Sequence, residues 1–172
     1  LLDYLKQARA RGVLFDVGHG GGSFVFRNAV PAIRQGFYPD SISTDLHTGS
    51  MNGAMMDMVT TMSKILVLGV PLQEVIREST VNPAKAIQHP ELGHLSVGAE
   101  ADIAVLRVMQ GSFRYADGSR ATFEGDRRLM CELTLKGGRV VWDWNARTGT
   151  DYRKMSKDYG IRSVDKIILP PK

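Results

Sequence analysis

Ile42-Ser43-Thr44-Asp45-Leu46-His47 is a short β-type run that ends on an acid and opens into Thr48-Gly49-Ser50-Met51-Asn52-Gly53. A carboxylate at the carboxyl end of a strand, beside an imidazole and ahead of a flexible loop, sits where α/β proteins place their chemistry. Upstream, Val13-Leu14-Phe15-Asp16-Val17 is nearly continuous in apolar residues, the pattern of a strand buried on both faces. Gly18-His19-Gly20-Gly21-Gly22-Ser23 then forms a glycine-rich turn. Residues 23–35 carry a helical pattern with Ser23 as cap, and Pro31 is expected to kink this helix or start its second segment. Gly36 ends it, and Pro39-Asp40 turns into a strand over residues 41–44. Strand, helix, strand with short connections is a parallel βαβ unit.

Outward from this unit the chain reads in two parts. Residues 1–11 form a surface helix stopped by Gly12. Met55, Met58, Val59, Met62, Ile65 and Leu66 recur at helical spacing up to Gly69, a stripe better explained by core packing than by a ligand groove. Pro71 opens another helix, and Asn82-Pro83 a short one through Ala86. Near His89-Pro90 the character changes. Residues 103–108, 129–136 and 139–144 are β-rich, and Gly137-Gly138 joins the last two as a hairpin. The expected organisation is α/β units over residues 1–88, a small antiparallel β module over 89–147 and an extended tail over 148–172. Trp142 and Trp144 alternate with Asp143 and are expected to pack on one side of the hairpin.

The 172 residues are 43% hydrophobic and 23% charged, ordinary for a globular protein with a sizeable core. Twenty-two Lys and Arg against eighteen Asp and Glu give +4 with no dense basic run, which argues against nucleic acid as a partner. No apolar run reaches membrane-spanning length, so no membrane partner is expected. Cys131, the only cysteine, cannot form an internal disulfide and suits a reducing, cytoplasmic compartment. Beginning at Leu1 within a helical pattern, the sequence reads as the C-terminal portion of a longer protein.

Three segments together resemble the amidohydrolase superfamily, most closely the amidohydrolase/deacetylase branch related to dihydroorotases and D-aminoacylases. They are Phe15-Asp16-Val17-Gly18-His19-Gly20-Gly21-Gly22-Ser23-Phe24, Ile42 to His47, and Thr80-Val81-Asn82-Pro83-Ala84-Lys85 through Gly98-Ala99-Glu100-Ala101-Asp102-Ile103-Ala104-Val105. The resemblance implies the last strands of a (β/α)8 TIM-type barrel followed by a small β-sandwich-like module. It also implies a metal-dependent hydrolase acting on an amide, cyclic amide or ester of a small molecule, with one or two divalent ions, most naturally Zn2+. Carried over, Asp45 is the acid at the end of the eighth strand that touches a metal ion and shuttles a proton. The family's other ligands, a His-x-His pair, a carboxylated Lys or an acid, and two further His, have no counterpart in these residues.

Around Asp45, His47 is placed to contact a substrate carboxylate or oxyanion. His19, Gly20 and Gly21 reach the same barrel face as substrate-contacting residues, with a purely structural role for His19 equally open. Asp16 reads as a buried hydrogen-bonding residue, and His89 and His94 as surface or interface histidines. Two rival readings stand beside the hydrolase: a phosphate- or nucleotide-binding module using the loop from Gly18 to Ser23, and a non-catalytic assembly fragment. Two βα units cannot close a barrel, so the expected partner is a second copy, in a homo-oligomer, or the barrel's N-terminal part.

Overall fold

A computed structural model describes residues 2–161. Its element order is α1 (Asp3–Ala10), β1 (Asp16–Gly18), α2 (Phe26–Arg34), β2 (Ser41–Ser43), α3 (Met58–Val67), α4 (Leu72–Glu78), α5 (Val81–Ala86), β3 (Ile103–Ala116), β4 (Thr122–Lys136) and β5 (Arg139–Asp143). A single 3-10 turn follows at Tyr152–Lys154. The expected tail of residues 148–172 is described as far as Ile161, and its last part, residues 162–172, lies outside the described residues.

The parallel βαβ unit forms as its sequence dictates: β1 and β2 pair with Asp16 opposite Ser41, Val17 opposite Ile42 and Gly18 opposite Ser43. The first strand differs from expectation. It begins at Asp16, and Val13 and Leu14 are 46% and 59% exposed rather than enclosed. Among the described residues β1 pairs with β2 alone, so the run lacks the strand on its other side that the pattern anticipates. Asp40 joins the unit at its base, accepting from the Phe15 amide at 2.8 Å and from Arg9 at 3.0 Å.

Helix α2 starts two residues later than expected, with Val25 rather than Ser23 at its N-cap. The cap comes from far along the chain: Asp117 Oδ2 accepts from the Phe26 amide at 2.9 Å. Pro31 sits inside one continuous helix. The amide it lacks would have met the Arg27 carbonyl, and both residues are exposed, so water can serve that acceptor.

Helix α3 is capped by Asp57, whose carboxylate accepts from the Thr60 amide at 2.7 Å. Its methionine stripe packs as core: Met62 is buried and Met58 is packed against the same cluster, while Met55 is enclosed in the preceding loop. That cluster also takes Ile65 and Leu66 of α3, Ile42 of β2, Phe24, Phe26 and Ile33 around α2, and Tyr115 and Leu129 of the β module. The helices and the three-stranded sheet therefore share one core. Ser63 stitches the two, its Oγ accepting from the Leu129 amide at 2.9 Å.

The sheet is antiparallel in the order β3-β4-β5. Gly137 and Gly138, with φ of +53° and +76°, make the β4–β5 turn as expected. Strands β3 and β4 extend well beyond the predicted runs and meet in a second hairpin at Asp117-Gly118-Ser119-Arg120, which was not anticipated. Trp142 and Trp144 do not pack as core. They are 53% and 47% exposed, lying along an open cleft with Met56, Arg114 and Met130, because no further layer covers this side of the sheet among the described residues. Cys131 is a free thiol on β4. No helix among the described residues is long and apolar enough to cross a membrane.

Candidate active site

The β1–β2 ladder continues past its formal end, where the Gly20 amide donates to the Thr44 carbonyl at 2.9 Å and the His19 amide to Ser43 at 3.3 Å. These bonds lay the loop after β1 beside the loop after β2, so residues far apart in sequence meet at the carboxyl ends of both strands. Asp45 leaves β2 with φ of +47°, a left-handed conformation that Asp tolerates better than most residues. The turn aims its exposed carboxylate at Gly20. A Cβ at Gly20 would collide with Asp45 Oδ2, and Gly20 itself has φ of +46°. Glycine is required there twice over, by backbone conformation and by the approach of the carboxylate. Among the described residues the carboxylate of Asp45 accepts no hydrogen bond.

The loop carrying His47 is tied by a serine that sequence reasoning missed. Ser50, 2% exposed, accepts from the His47 amide at 2.9 Å and donates back to the His47 carbonyl at 3.1 Å. His47 is exposed, and its Nδ1 accepts from the Gly49 amide at 3.1 Å, which leaves Nε2 as the protonated nitrogen. Gly21 lies across from this loop, with the Gly49 carbonyl and Ser50 Cβ each 3.9 Å from where a Cβ would stand. Asp45, Gly20, Gly21 and His47 thus share one end of the parallel pair.

His19 turns the other way and is fully buried. Its Nδ1 lies 3.0 Å from the Gly20 carbonyl and its Nε2 2.7 Å from Lys64 Nζ, while its ring stacks on Phe24 with centroids 4.8 Å apart. Since a carbonyl only accepts and an ammonium only donates, Nδ1 carries the proton and Nε2 is bare. Burial lowers the His19 pKa and favours this neutral ring. The position serves the structural reading of His19 left open by the sequence. Asp16 is exposed rather than buried, and its two oxygens accept from Ser41 at 2.6 Å and Ser43 at 2.5 Å.

Lys64, 1% exposed, also went unnoticed in the sequence, where it reads as one more cation on an amphipathic helix. Besides His19 it donates to the Ala54 carbonyl at 2.6 Å, and burial pulls its pKa down to about 8 against the opposing pull of Asp117. For Asp117, burial acts upward, but the amides of Phe26, Ala121 and Ser119 prevail and hold its pKa below the ordinary carboxylate value. His89 is exposed and pairs with Glu91 at 2.7 Å, and His94 is half-buried, away from the strand ends.

A zinc-type ion wants about four ligands. Among the described residues no group of three or more His, Cys, Asp or Glu is arranged to hold one. Asp45 fits as a single ligand: an oxygen donor, exposed and free of competing hydrogen bonds. A complete centre needs donors from beyond these residues.

Residues 25–141 match the amidohydrolase family. A curated deacetylase from Brucella anthropi is 40% identical over 141 residues, 82% of this chain and 35% of that protein. Among solved structures, an adenine deaminase superposes with a TM-score of 0.78 at 33% identity, covering 83% of this chain and 39% of its own. A dihydroorotase superposes with a TM-score of 0.74 at 36% identity, covering 80% and 38%. The chain spans about a third of the length of the curated relatives it matches. With the order of its segments, its parallel strand pair and these likenesses in agreement, the chain belongs to the amidohydrolase family.

Proposed function

We propose that this chain is the C-terminal part of a metal-dependent hydrolase that cleaves an amide, cyclic amide or ester of a small molecule, with Asp45 as its proton shuttle. One observation carries the reading: an exposed, unbonded carboxylate at the carboxyl ends of two parallel strands, lying against the space a side chain at Gly20 would take. β1 and β2 are then the last two strands of a (β/α)8 barrel, and the sheet β3-β4-β5 is part of a small sandwich. A second copy or the barrel's N-terminal part covers the exposed edge at Val13 and Leu14.

In the reaction, Asp45 would hold a divalent ion of the zinc type together with ligands from the rest of the barrel. Such an ion, when bound, acidifies water to a pKa of about 7. Asp45 takes the proton of the attacking water at a carboxylate oxygen and passes it to the departing nitrogen or oxygen. His47, with Nε2–H outward, donates to a substrate carboxylate or to the developing oxyanion. Gly20 and Gly21 form the wall opposite, where only backbone stands near the substrate. The phosphate-binding alternative is disfavoured because the Phe26 amide at the start of α2 already binds the Asp117 carboxylate. Full-length protein, assayed with added zinc or chelator against N-acetyl amino acids, a cyclic diamide and an acetyl ester, should hydrolyse at least one class with metal alone. Failure against all three in both states contradicts the proposal.

A further inference from the structure

We infer that Lys64 is a positioning residue for the Asp45 carboxylate, acting through His19 and the Gly20 carbonyl on one side and the Ala54 carbonyl on the other. The inference rests on the proposed role of Asp45. A lysine is an unusual occupant of a site that is 1% exposed, and burying its charge without recompense is costly. The chain arranges acceptors for it. Nζ reaches His19 Nε2 at 2.7 Å and Ala54 O at 2.6 Å, with the Phe24 ring 5.9 Å away and Asp117 as the opposing charge.

The two acceptors belong to different loops. Through the first, the ammonium fixes the His19 tautomer, so that Nδ1–H grips the Gly20 carbonyl at 3.0 Å. Gly20 is the residue against which the Asp45 carboxylate lies. Through the second, the ammonium anchors the far end of the loop that Asp45 opens and Ser50 ties. One side chain on the rigid helix α3 therefore sets the spacing between both loops from beneath, without reaching the reacting atoms. Methionine, similar in length but without a donor, can hold neither acceptor.

The test uses the full-length, zinc-loaded protein and compares Lys64→Met with Ser63→Ala. The latter residue lies on the same helix but bonds to β4 rather than to the loops. Lys64→Met should lower kcat on an N-acetyl amino acid about 10- to 100-fold with KM near wild type, as loss of a group that orients a ligand does. Amide exchange at Gly20 and residues 46–54 should accelerate, and the His19 Nε2 nitrogen resonance should move while Nδ1 stays protonated. Ser63→Ala should lower stability and leave all three unchanged. Wild-type exchange and nitrogen shifts in Lys64→Met, or a loss confined to KM, overturn the inference. If Asp45→Asn retains full turnover, the proposed function fails instead, and exchange and nitrogen shifts still decide whether Lys64 ties the loops.

Discussion

Replacing Gly20 by alanine separates the two demands made on that position. The backbone φ of +46° costs an L-residue about 1–2 kcal/mol. The added Cβ also collides with Asp45 Oδ2, whereas Asp45 Cβ stands 3.5 Å away, an ordinary contact. The carboxylate end is exposed and makes no hydrogen bond, so the collision is relieved by turning it aside rather than by moving the backbone. The stability loss should therefore stay near the strain alone, about 1–2 kcal/mol, while the shuttle loses its aim, and a displacement of about 1 Å in such a group can cost on the order of 100-fold in rate. Urea unfolding of the full-length protein reads the first quantity, and kcat corrected for folded fraction reads the second. In an Asp45→Asn background, Gly20→Ala should reduce the residual rate no further. The reasoning is refuted if Gly20→Ala unfolds the protein by much more than the strain, or if its corrected kcat equals wild type.

Glu78 is 2% exposed, and burial, reinforced by Glu74 and Asp40, raises its pKa from 4.5 to about 7 despite Arg9. The folded state thus binds more protons than the unfolded between those values, and stability falls as pH rises through the window by about 3 kcal/mol at most. Glu78→Gln should flatten that part of the curve in urea melts from pH 4.5 to 8, and an unchanged slope would remove Glu78 as its source. Asp117→Ala should cost about 2–3 kcal/mol by stranding the amides of Phe26, Ser119 and Ala121. Because the folded pKa of Asp117 lies below its unfolded value, its contribution is present above pH 3.8 and fades as pH drops below it. Wild-type stability in the variant at pH 7 would show that those amides find other partners. Residues 1–172 produced alone should self-associate through the uncovered β1 side, where Val13 and Leu14 are exposed, and a monodisperse monomer in light scattering would contradict this.

The parallel unit, the helix over the methionine stripe and the Gly-Gly hairpin were legible because each rests on local periodicity or on turn residues with one conformational job. Asp45 was legible as a strand-end acid for the same reason. What escaped were links made by tertiary contact. Asp117 caps a helix 91 positions away, and Lys64 reaches His19 across 45. Neither pairing leaves a trace in spacing, and a buried lysine looks in sequence like a solvated one. The tryptophans failed in the opposite sense, since alternation shows that two rings share a side but not whether anything covers it.

The central claim is that Asp45 moves the proton in hydrolysis. Asn at this position keeps the left-handed backbone accessible and nearly the same shape while removing the base. In the full-length protein, Asp45→Asn should retain the wild-type unfolding midpoint and most of its bound metal, and lose turnover by at least about 100-fold. A variant that is folded, metal-loaded and hydrolysing at near-wild-type rates would contradict the account.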